Sequence, residues 1–202
     1  MDQALTEAEA HKNLQVSYTM TFEWPGEPIV KQRYNAQTEN WSLLEGAPDT
    51  LPPSAQTKLR NVQKSESKIG GLLYADYRPY LTDVALINET DTQYIYQFIP
   101  PEANKRDLPE DIHQRVHARL TVQKSPPTLL RYEVKALEPL SPYPLVEMEE
   151  FVVDQTFTRQ GENGLPLLTK LTSKQKGKRP FKKIDTEFTA TFSDFEVLTS
   201  TP

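Results

Sequence analysis

Cysteine is absent from the 202 residues, which removes disulfides, thiolate metal sites and cysteine nucleophiles together. Such a chain fits an exported bacterial envelope protein that avoids accidental oxidation, although many cytosolic proteins lack cysteine too. Glycine is scarce, with seven residues against 17 prolines. Proline fixes φ and interrupts ladders, so this ratio implies many strand ends and stiff connections. No apolar run of about 18 residues occurs, so no segment reads as a membrane-spanning helix. The start, MDQALTEAEAHKN, lacks the basic and apolar stretches of a secretory leader. It reads either as a cytosolic chain or as a mature form in which Met1 replaces a removed leader. The GxSxG elbow of serine hydrolases and the glycine-rich phosphate loop are missing as well.

What is present suits one domain over residues 1–202, long enough to bury a real core. The hydrophobic fraction of 37% and charged fraction of 25% describe a polar globular chain. A net charge of −5 and a pI near 5.3 argue against general nucleic-acid binding. The charge is polarised, since Lys170 to Lys183 holds seven basic residues and no acid.

Periodicity divides the chain. A short helix is expected over Ala4 to Lys12, with Thr6 as its cap. From Leu14 to Trp24 the residues alternate: Leu14, Val16, Tyr18, Met20, Phe22 and Trp24 on one face, polar residues on the other. That pattern is a half-buried antiparallel strand. Pro25-Gly26 turns the chain into strands at Ile29 to Asn35 and Glu39 to Leu44. Helices follow over Ser54 to Lys64, striped by Leu51, Ala55, Leu59 and Val62, and over Leu72 to Leu81, with Leu73, Tyr77 and Leu81 at fourfold spacing. A hairpin spans Thr82 to Asn88 and Gln93 to Ile99, then Pro100 to His113 is a polar excursion. Strands at Arg115 to Gln123 and Leu129 to Leu137 lead to a proline-rich corner, EPLSPYPL. The last third is a meander of three long strands, VEMEEFVVDQTFTR, LPLLTKLTSKQK and FKKIDTEFTATFSDFEVL, with turns at QGENG and GKRP.

About ten strands with segregated helices define an α+β class built on an antiparallel sheet. Strands of a dozen residues run roughly 40 Å at ~3.3 Å per residue. In a domain of this size they must curl, so the expectation is a strongly curved sheet, an open half-barrel with helices covering its concave face.

Candidate chemistry is thin. Asp111, His113 and His117 have spacing that would suit a metal on a helix, but His117 falls in a strand and no HExxH glutamate accompanies them. Polar surface histidines are the preferred reading, with no metal and no cofactor. Glu147, Glu149, Glu150 and Asp154 read as a solvated strand face rather than an acid/base pair. Asn40-Trp41-Ser42 and Asn88-Glu89-Thr90 match glycosylation acceptors that matter only in a eukaryotic secretory context. The basic residues Lys176, Lys178, Arg179, Lys182 and Lys183, with Lys174, cluster about one hairpin end. There they would either dock an anionic surface or blunt exposed strands against aggregation. No enzyme activity is expected.

The order of helix, alternating meander, helices and long closing meander resembles the LolA/LolB-like periplasmic lipoprotein-carrier fold family. The stretches KALEPLSPYPLVEMEEF, FTRQGENGLPLLTKL and FTATFSDFEVL are similar to uncharacterised exported bacterial proteins of that fold. The resemblance implies one LolA-like domain in the periplasm, a leader-free mature form, and a hydrophobic or lipidated ligand held in a half-barrel. Tyr18, Met20, Phe22, Trp24, Leu73 and Tyr77 would then line the ligand cavity. The basic residues would form its rim and face an anionic membrane or an envelope protein. The alternative is a protein-interaction module of the envelope with a filled core, using its basic hairpin and sheet edge.

Overall fold

The computed structural model describes residues 1–11, 14–66, 81, 84–100, 115–160 and 164–198. Helix α1 spans Asp2–Ala10 and α2 spans Pro53–Glu66. The strands are β1 (Gln15–Glu23), β2 (Val30–Asn35), β3 (Asn40–Glu45), β4 (Ala85–Glu89), β5 (Gln93–Phe98), β6 (Val116–Lys124), β7 (Pro127–Ala136), β8 (Leu140–Tyr143), β9 (Val146–Arg159), β10 (Pro166–Arg179) and β11 (Lys182–Leu198). All belong to one antiparallel sheet of order β3-β2-β1-β11-β10-β9-β7-β6-β5-β4, with β8 paired to β9 off this path. The sheet does not close, and β3 and β4 are its edges.

The two ends of the chain meet in the middle of this sheet. β1 pairs with β11, Met20 opposite Phe192 and Phe22 opposite Ala190. The first meander is thereby joined edge to edge with the last, and one apolar face runs across both. A single row shows it: Phe22, Ala190, Leu171, Gln155, Tyr132 and Leu120 are successive cross-strand partners from β1 to β6. On the opposite face the corresponding row reads Thr172, Asp154, Glu133 and Arg119, all polar. Between the bulges of strands 14 to 17 residues long, this alternation fixes the register, because a slip of one residue would expose the apolar set.

Helix α2 meets the apolar face as its stripe predicts. Ala55, Leu59 and Val62 are buried in the same core as Tyr18, Met20 and Phe22. Gln63 Nε2 donates to Gln32 Oε1 at 2.6 Å, and Gln32 sits opposite Met20 on that face. Of the helices expected to cover the sheet, α2 is described; the one expected over Leu72 to Leu81 lies outside the described residues except for Leu81.

Several local expectations change. Helix α1 begins at Asp2, so Thr6 lies within it rather than capping it. The polar side of β1 is not all solvated: Ser17 and Thr19 are buried. Ser17 Oγ accepts the Ala36 N–H at 3.0 Å, and Arg33 reaches over Thr19, so a polar face is covered by polar partners. Trp24 lies one residue past the strand. The corner EPLSPYPL contains β8, a short strand added beside β9. The turn expected at GKRP moves to Pro180-Phe181, because Gly177, Lys178 and Arg179 all belong to β10. Gly177 serves a bulge instead: a Cβ there would collide with the Glu147 carbonyl oxygen, so only glycine permits β9 to approach this closely.

Candidate functional site

The residues expected to line a cavity divide into two groups. Tyr18, Met20 and Phe22 are fully buried. Tyr18 lies within an aromatic group, its ring centroid 5.4 Å from Tyr34, 5.6 Å from Trp41 and 5.7 Å from Phe192. Phe22 stacks on Phe188 at 5.4 Å. Close edge and offset contacts of this kind are how a core is filled, so these three are packed interior rather than an open lining. Trp24 is half-buried against the core. Leu73 and Tyr77 lie outside the described residues.

The open part of the apolar face lies elsewhere, over β9 to β11. Phe151, Val153 and Gln155 of β9 point to that face, paired with Gln175, Ser173 and Leu171 of β10. All three are only half-buried, as are Gln175 and, on β11, Ile184 and Thr186. Leu171 and Ser173 within the sector are buried, and so is the face around it, with Ala118 and Leu120 on β6, Tyr132 on β7, and Phe188 and Ala190 further along β11. The apolar face is therefore filled at its flanks and partly open along one sector.

Two polar groups mark this sector. Lys58 of α2 lies between the buried Ala55 and Val62 on the helix and brings Nζ to 3.5 Å from Gln175 Oε1. Burial lowers its pKa from the ordinary 10.5, because removing an ammonium from water disfavours the charged form. Gln155 Oε1 is a buried acceptor with no hydrogen-bond partner among the described residues. An unmet buried acceptor costs about 1–3 kcal/mol, so a donor that reached it would be favoured. Both signals were present in the sequence. Lys58 interrupts the stripe Ala55, Leu59, Val62 at helical spacing, and Gln155 interrupts the strand parity Phe151, Val153, Phe157. Neither was singled out by a motif.

The basic residues lie on the other face and at the hairpin end, and they are not an unopposed positive patch. Lys174 and Lys176 both reach Glu150, at 2.9 and 3.7 Å. Lys178 pairs with Glu147 at 2.7 Å, and Lys183 with Asp185 at 2.8 Å. The acids lie outside the basic run: Glu147 and Glu150 stand on β9, set beside the lysines of β10 by register, and Asp185 follows Lys183 two residues on along β11. Arg179 and Lys182 remain at the tip as a cross-strand pair. The acidic run is used the same way, with Asp154 held by both Nε and Nη2 of Arg131 at 2.7 and 2.6 Å. His117 lies opposite Lys135 on the polar face, while Asp111 and His113 lie outside the described residues. Among the described residues no three metal-ligating side chains cluster.

No family model matches this chain, and no curated protein is similar to it. Two solved structures are similar over nearly its whole length. One is a LolA superfamily protein from Nitrosomonas europaea, 11% identical, covering 98% of this chain and 93% of its own, with a TM-score of 0.44. The other is a DUF1329 family protein from Desulfovibrio piger, 10% identical, covering 99% and 92%, with a TM-score of 0.38.

Proposed function

We propose that this protein is a non-enzymatic envelope protein that shelters a lipid, acyl chain or lipidated ligand in a half-barrel, in the periplasm. The observation that carries the reading is the uneven filling of the apolar face. An ordinary core is filled throughout, whereas here Phe151, Val153 and Ile184 keep part of their surface open beside the buried flanks. Apolar area removed from water contributes about 25 cal/mol per Å², so an acyl chain laid along this sector gains affinity without any directional contact. Helix α2 forms the movable side, acting as a lid over the concave face. Lys58 would then face an anionic head group of the ligand, and lid movement permits release.

The test is titration of delipidated protein with a dansyl-labelled fatty acid, read by its fluorescence. Micromolar uptake is expected, with a tenfold or greater loss in Val153→Glu under conditions where circular dichroism shows the variant folded. No uptake by the wild type, where a known lipoprotein carrier responds in parallel, would sink the reading.

A second reading has its own support. The edge strands expose Leu43 and Leu44 on β3 and Leu86 and Ile87 on β4. Open apolar edges suit strand addition by an envelope protein. In that case a partner's affinity would survive Val153→Glu and fall on substitution of Leu86.

A further inference from the structure

Two neighbouring turns share one construction. Pro144-Leu145 joins β8 to β9, and Pro180-Phe181 joins β10 to β11. In both, proline takes the first central position and a large apolar residue the second. That second residue has positive φ, 64° at Leu145 and 62° at Phe181. A proline-led turn of this kind favours glycine or asparagine there, since a Cβ is strained at positive φ. Both turns also leave the side chain in water, with Leu145 78% exposed and Phe181 109%. Strain and exposure each disfavour these residues, and neither side chain stabilises the fold. Residues held against local preference point to a use outside packing.

Register brings the two turns together. Tyr143 pairs with Val146, Glu147 with Lys178, and Arg179 with Lys182. Both turns therefore close the same end of the sheet, about 10 Å apart across two strand spacings. The outermost layer, Tyr143 to Val146 and Arg179 to Lys182, contains two cations and no acid. Arg179 and Lys182 make no ion pair among the described residues, whereas one step inward Lys178 and Lys183 are matched by Glu147 and Asp185.

We propose that this end of the sheet docks on an anionic phospholipid bilayer, with Leu145 and Phe181 entering the interface and Arg179 and Lys182 meeting the phosphates. Depth order favours a bilayer over a protein partner. The apolar side chains stand on the tips of convex turns with the cations at their base, matching an apolar layer beneath an anionic one. The proposal does not depend on a ligand in the sheet, and its failure would leave that reading untouched.

The experiment is co-sedimentation of the full chain with vesicles of phosphatidylglycerol and phosphatidylcholine at low salt. Wild type is expected to pellet with them, and more weakly with phosphatidylcholine alone. Leu145→Gly/Phe181→Gly, which relieves both positive-φ strains and so keeps the fold, should lose tenfold or more. Arg179→Ser and Lys182→Ser should each lose about fivefold, equivalent to about 1 kcal/mol per basic side chain at an anionic surface. In Phe181→Trp the emission should shift to the blue when vesicles are added. Absence of wild-type binding, or a glycine pair that binds as well as wild type, would overturn the proposal. Binding to poly-glutamate but not to vesicles would also overturn it and assign the tip to an acidic protein.

Discussion

Lys58 Nζ lies 3.5 Å from Gln175 Oε1, so a helix places its cation against the apolar face of the sheet. Its lowered pKa comes from burial, which means the folded state disfavours the protonated form. Lys58→Met should therefore raise the stability of the ligand-free protein at neutral pH. The gain should be a fraction of a kcal/mol, because the side chain is partly screened by water. The sign in pH follows. Wild type gains on the variant as pH rises through the folded-state pKa, and the gap closes towards 10.5, the ordinary lysine value. Urea midpoints between pH 7 and 10.5 measure this. A variant less stable at pH 7 would show that the bond to Gln175 outweighs desolvation. Affinity for an anionic acyl probe should fall in the same variant, while a neutral alcohol of equal length should bind unchanged.

Helix α1 is tied to the sheet through one arginine. Arg159 donates Nη1 and Nη2 to the two carboxylate oxygens of Glu7 at 2.9 and 2.8 Å. It also reaches the Gly164 carbonyl at 2.6 Å and Thr128 Oγ1 at 2.7 Å. A planar fork used at four acceptors cannot be replaced by an ammonium. Arg159→Ala should cost about 2–3 kcal/mol, and Arg159→Lys should recover less than half of it. Faster amide exchange confined to α1 would accompany the loss. A cost below about 0.5 kcal/mol would mean that burial of Ala4 and Leu5 holds the helix alone.

Core and candidate lining separate by substitution. Phe22 is fully buried and stacked on Phe188, so Phe22→Ala should cost about 3–5 kcal/mol through lost transfer energy and a residual cavity. Val153 is half-buried, and Val153→Ala should cost about 1 kcal/mol or less. Probe affinity should move the other way: unchanged in Phe22→Ala below its melting temperature, weakened in Val153→Ala. If Phe22→Ala removes binding in folded protein, the lining lies under β1 after all.

The strands were legible where apolar and polar residue types alternate strictly, as at Val16 to Phe22 and Val116 to Val122. Strong alternation is a local property of the chain. The site was less legible because it depends on register. Which of Phe151, Val153 and Gln155 stays open is decided by β10 opposite and by α2 above, neither of which is local. The basic run misled for the same reason. Glu147 and Glu150 stand on β9, close to the lysines of β10 only after pairing. Phe181 sits in the turn rather than in the strand because regular pairing of β10 with β11 runs out to Arg179 and Lys182, which leaves only Pro180 and Phe181 to reverse the chain.

The ladder across β9 to β11 ties acid stability to the same hairpin. The hydrogen bond from Lys174 is the main cause that lowers the pKa of Glu150, and that from Lys183 does the same for Asp185. A depressed carboxyl contributes stability that is full above its unfolded value and lost as pH falls through its folded one. The ordinary values are 4.5 and 3.8, so wild type should lose stability as pH drops below that range. Glu150→Gln/Asp185→Asn should be less stable at pH 7 and show a flatter acid limb. High salt should shrink the difference at pH 7, since all four groups are at the surface. The same variant frees Lys174 and Lys183 of their partners, so binding to phosphatidylglycerol vesicles should strengthen. Unchanged vesicle binding would confine the contact to Arg179, Lys182 and the two apolar turns, because the ladder would then stand too far from the bilayer to be felt.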